Sequence, residues 1–99
     1  MDSVLSEKWF KLSLVQQMVN IGNEVKRAMR FSEDPGKKDM FFDRALQYTQ
    51  LTMEDPKNNR VLSELLISKE VLEDYREEHN LACTEEQIMG YYQAYQYLL

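Results

Sequence analysis

Three clusters of turn-forming and polar residues punctuate this chain: Ser32-Glu33-Asp34-Pro35-Gly36, Asp55-Pro56-Lys57-Asn58-Asn59 and His79-Asn80-Leu81-Ala82-Cys83. Both prolines fall inside them. What remains is four segments rich in Leu, Met, Glu, Lys, Gln and Arg, residues with high helix propensity. The chain is therefore expected to be all-α. Short turns between periodic helices make neighbours pack against one another, which predicts a four-helix, antiparallel, up-and-down bundle. With 99 residues there is room for one core only, so 1–99 is expected to be a single helical domain.

The periodicity supports each helix. In the first segment Phe10, Leu14, Met18, Ile21, Val25 and Ala28 are spaced by 4, 4, 3, 4 and 3 residues, one stripe of a 3.6-residue helix. Leu5 and Trp9 lie nearly opposite that stripe, so either the helix breaks near Ser13 or it has two buried sides. Ser13 and Gln16 have the form of a capping box, which suits a break. The second segment, from about Asp39 to Met53, aligns Phe41, Ala45, Tyr48 and Thr52 beside Phe42, Leu46, Thr49 and Met53. The third opens with Asp55 as N-cap and Pro56 in the first turn, and buries Val61, Leu65, Ser68, Leu72 and Tyr75. In the last, Thr84 and Gln87 form another capping-box pattern ahead of Ile88, Tyr91, Tyr92, Tyr95, Leu98 and Leu99.

The composition excludes several chemistries. The lone histidine, His79, with Cys83 supplies only two of the ligands that zinc needs, so no metal and no cofactor is expected. That histidine would also have to be the base of any nucleophilic triad, and Gly22, Gly36 and Gly90 are too far apart for a phosphate loop. A non-enzymatic role is favoured. Residues 1–53 carry 8 Lys+Arg and 7 Asp+Glu, while residues 54–99 carry 4 and 10. The basic cluster Lys26, Arg27, Arg30, Lys37 and Lys38 suits a helix C-terminus, and nucleic acid is not the expected partner. No apolar run approaches the roughly 20 residues that span a bilayer. A single cysteine and the lack of a secretory leader point to the cytoplasm.

Two sets of candidate residues emerge. Glu24, Arg27, Arg44, Arg60 and Glu64, with Asn20, Asn23, Glu70 and Asp74, are spaced to face one another across a bundle, as structural ion pairs or as a polar ligand pocket. The second set comes from counting apolar directions. Each helix of a bundle needs one stripe of roughly 100° to 140°, yet Trp9, Leu5, Ile67, Met89 and Tyr97 lie outside these stripes. A homodimer burying Trp9 and part of the last helix, with Tyr91, Tyr95 or Tyr97, is the expected assembly. The alternative is that the N-terminal stretch folds back as a short helix over its own bundle. An additional protein partner fits the same reading.

The strings Asn20-Ile21-Gly22-Asn23-Glu24-Val25, Arg44-Ala45-Leu46, Leu51-Thr52-Met53-Glu54-Asp55-Pro56-Lys57-Asn58 and Lys69-Glu70-Val71-Leu72-Glu73-Asp74-Tyr75 resemble a family of small uncharacterised prokaryotic helical proteins. The Asp-Pro-Lys-Asn turn is the most specific part. The resemblance implies a helical fold and a cytoplasmic setting and transfers no catalytic residue. Tyr48-Thr49-Gln50 and the Tyr-rich last helix depart from that pattern. In shape the chain is also similar to HEPN helical domains, which implies a nucleotide- or nucleic-acid-binding accessory role as the alternative function. Arg76 and His79 are separated by only two residues, which does not support the ribonuclease activity of that group.

Overall fold

A computed structural model describes residues 3–77 and 83–99. Among them the chain is all-helical: α1 (Ser3–Phe10), α2 (Leu14–Arg30), α3 (Pro35–Glu54), a 3-10 helix (Pro56–Val61), α4 (Leu62–Arg76) and α5 (Glu85–Gln96). None of these helices is long and apolar enough to cross a membrane.

The first segment does break at Ser13. The Ser13 hydroxyl accepts from the Gln16 amide at 3.1 Å, and the Ser13 amide donates to Gln16 Oε1 at 2.9 Å, which closes the capping box of α2. Thr84 and Gln87 repeat the arrangement at the start of α5. Two boundaries differ from the sequence-based expectation. Helix α3 begins earlier, because Asp34 caps it and Pro35 occupies its first turn. Asp55 and Pro56 start a tight 3-10 helix rather than α4 itself, so α4 opens at Leu62 without a side-chain cap.

Helix α2 packs on α3 and on α5, while α3 also receives α1, the 3-10 helix and α4. The predicted stripe on α2 is realised: Met18, Ile21, Val25 and Ala28 are fully buried. They meet Phe42, Ala45 and Leu51 of α3, Leu65 and Leu72 of α4, and Ile88 and Tyr92 of α5 in one core. At about 1.5 to 3 kcal/mol per large apolar side chain, this shared burial is what fixes the helices against one another. Gly22 permits a close approach of α5 to α2, since a Cβ there would lie 2.7 Å from the Cβ of Tyr92.

Candidate functional site

The Asp-Pro-Lys-Asn turn builds a buried polar clamp at the α3 end. Gln17, fully buried on α2, donates through Nε2 to the Trp9 carbonyl at 3.0 Å and to Asp55 Oδ2 at 2.9 Å. Its Oε1 accepts from Asn58 Nδ2 at 2.9 Å, and the same amide donates to the Thr52 carbonyl at 2.9 Å. Trp9 Nε1 donates to Thr52 Oγ1 at 2.9 Å, while the Thr52 hydroxyl donates to the Tyr48 carbonyl at 2.8 Å. Lys57 closes the rim, pairing with Asp55 and donating to the Phe10 carbonyl at 2.9 Å. Both amide groups thus spend all their donors inside the chain, so this constellation joins α1, α2, α3 and the 3-10 helix rather than presenting groups to a ligand.

Burial pushes the Asp55 carboxyl up, but the hydrogen bonds from Lys57 and Gln17 and the Lys57 charge outweigh it and hold the group below its ordinary value. A folded value below the unfolded one contributes stability above about pH 4 that is lost as pH falls through the folded value. The stability difference between the wild type and Asp55→Asn, measured by urea unfolding, is therefore expected to shrink between about pH 5 and about pH 2. A difference independent of pH contradicts this.

Trp9 is 5% exposed, stacked on the Tyr48 ring with centroids 4.6 Å apart. This corrects its assignment to a dimer interface: α1 folds back and covers the chain's own core, so Trp9 has no free surface to offer a partner.

The polar set predicted from spacing is dispersed. Glu24 and Arg27 pair along α2 at 2.7 Å, with Glu24 Oε2 buried and without a hydrogen-bond partner. Arg44 lies over the Phe41 ring at 5.8 Å, and Arg60 is exposed on the 3-10 helix. Glu64 is on the far side, accepting from Tyr91 at 3.2 Å and Tyr95 at 3.4 Å. Among the described residues no ion pair joins Arg44 or Arg60 to Glu24 or Glu64. Facing α3 instead, Arg76 pairs with Asp43 at 2.6 Å and Asp39 at 3.6 Å. His79 lies outside the described residues; within them no group of three or more His, Cys, Asp and Glu is placed to hold a metal ion.

Two hollows lie along α5, and a third, of about 630 Å³, sits at its start against Thr84, Glu85, Glu86 and Met89. One, of about 390 Å³, lies between α4 and α5 and is mainly apolar, with Glu64, Ile67, Val71, Cys83, Ile88 and Tyr91 among its walls. Burial, then contacts with Tyr95 and the Glu64 carboxylate, push the Tyr91 hydroxyl up and keep it a hydrogen-bond donor. The other, of about 460 Å³, lies between α2 and α5 and mixes cationic, amide and thioether side chains. Neither was foreseen from spacing, because each needs the rotation of α5 relative to its neighbours.

Compared with family models, curated proteins and solved structures, the chain finds no match. The family resemblance therefore rests on its motifs alone and the HEPN likeness on helical shape alone. For the two most distinctive motifs the geometry supplies a physical role: Gly22 for helix contact and Asp55-Pro56-Lys57-Asn58 for the clamp.

Proposed function

We propose that this chain is a non-enzymatic interaction module that works as a homodimer through the α4–α5 face of an antiparallel up-and-down bundle. Residue pairings support the antiparallel arrangement. Asp43 meets Arg76 and Gln50 meets Lys69, so numbers rise along α3 as they fall along α4. The contacts of Gln17 with Asp55 and of Phe31 with Phe41 follow the same rule for α2 and α3.

The observation that carries the functional reading is the uncovered apolar surface beside the α4–α5 groove. Ile67, in the groove wall, is 60% exposed and Leu98 67%, whereas Tyr97, 81% exposed, falls on another side of the helix from Tyr91 and Tyr95. Tyr91, Tyr95 and Leu98 continue as one row along and beyond α5. A projecting apolar ridge and an apolar groove on the same face are what a two-fold interface needs, because each copy then offers the other both halves of the contact. Contiguous exposed apolar residues and tyrosines are also the composition of interface cores. A cytoplasmic setting belongs to this reading and rests on the single Cys83.

The double variant Ile67→Asp/Leu98→Asp changes two exposed side chains, so helical circular dichroism is expected to stay intact while elution on a sizing column shifts to the monomer position. Unchanged elution of a folded variant overturns the assigned face.

A further inference from the structure

The α2–α5 hollow lies on the opposite side of α5 from the proposed dimer face and carries a different chemistry. Lys26 and Arg30, spaced i and i+4 on α2, both line it. Among the described residues neither has an ion-pair partner, whereas Arg27 between them has Glu24. Two like charges at this spacing on one helix face repel. The helix dipole accounts for Arg30 in the last turn, but Lys26 lies a turn earlier, where that field has faded. Among the described residues Glu85 is the only carboxylate in the lining, so two cations against one anion leave these walls at +1 in a chain of net charge -5.

The remaining walls suit an organic body. Met29 and Met89 supply adaptable apolar surface, and Asn23 and Gln93 supply both donors and acceptors. The floor is firm: Gly22 lets Tyr92 seat directly on α2, and Tyr92 is buried in the core. The volume, about 460 Å³, falls in the range of small-ligand sites.

We propose that the α2–α5 hollow binds a nucleoside monophosphate-like ligand. Lys26 and Arg30 take the phosphate monoester, Asn23 and Gln93 bond the edge of the heterocycle, and the methionines cover its faces. The proposal does not depend on dimerisation, since Met89 and Gln93 point away from the Tyr91–Leu98 row.

Isothermal titration of the full chain tests it with AMP, GMP, CMP and UMP as probes, beside adenosine and inorganic phosphate. At least one monophosphate is expected to bind with one site per chain, with its nucleoside and phosphate alone each weaker by about tenfold or more. Lys26→Gln/Arg30→Gln, both exposed, is expected to keep the helical spectrum and lose about tenfold or more in affinity, while Arg27→Gln leaves it unchanged. Failure of all four monophosphates to bind at millimolar concentration overturns the proposal. So does an affinity unchanged by the double variant, or lost equally with Arg27→Gln, which marks non-specific attraction to positive charge.

Discussion

Replacing Gln17 with methionine is expected to destabilise the protein by about 2 to 4 kcal/mol, although the new side chain is apolar, similar in size and a good helix former. Gln17 is 0% exposed and bonds Trp9, Asp55 and Asn58 at once. Without its amide the Trp9 carbonyl loses its side-chain donor, Asp55 keeps only its bonds on the Lys57 side, and Asn58 retains a single acceptor at Thr52. A buried polar group stripped of its partner costs about 1 to 3 kcal/mol, and the methionine brings no compensating burial because the position is already dry. For a domain of this size each kcal/mol lowers the melting temperature by about 4 to 8 °C, so thermal unfolding should shift down by about 10 °C or more. A variant melting within about 2 °C of the wild type contradicts the clamp as a stabilising element.

Gly22 should behave contrary to helix propensity. In an exposed helix Gly→Ala gains about 1 kcal/mol. Here the new Cβ meets the Cβ of Tyr92 at 2.7 Å, an atom tied to the α5 backbone that cannot swing aside. Helix α5 must move off α2, loosening Ile88 and Tyr92, the two buried residues by which it enters the core. Overpacking of this kind costs about 1 to 3 kcal/mol, so Gly22→Ala is expected to be net destabilising and Gly22→Leu to cost about 3 kcal/mol or more in urea unfolding. A stabilised Gly22→Ala means that the α2–α5 approach is not close in solution.

The helices were legible because their signal is local. The Ser13 and Thr84 capping boxes need only residues within one turn, and each step of the Met18-Ile21-Val25-Ala28 stripe reaches only to the next turn. The 3-10 helix was not, since Asp55 with Pro56 starts an α-helix or a tighter turn with the same residues. Trp9 was misassigned because its partner Thr52 is 43 positions away, and no periodicity in α1 reports the contact. Gln17 went unnoticed as a clamp residue for the same reason, its partners lying 38 and 41 positions along the chain. The predicted polar set failed on helix rotation. Spacing places Glu24 and Glu64 on helix faces, but only packing turns Glu64 toward Tyr91 and Tyr95 and away from α2.

Self-association is the claim on which the functional reading stands, and sedimentation equilibrium addresses it without any substitution. With Trp9 buried in its own chain, the proposed interface draws on Ile67, Tyr91, Tyr95 and Leu98. At tens of micromolar protein the account predicts a mass twice the chain's 11.8 kDa, falling toward the single-chain value on dilution. A mass of 11.8 kDa throughout that range contradicts it.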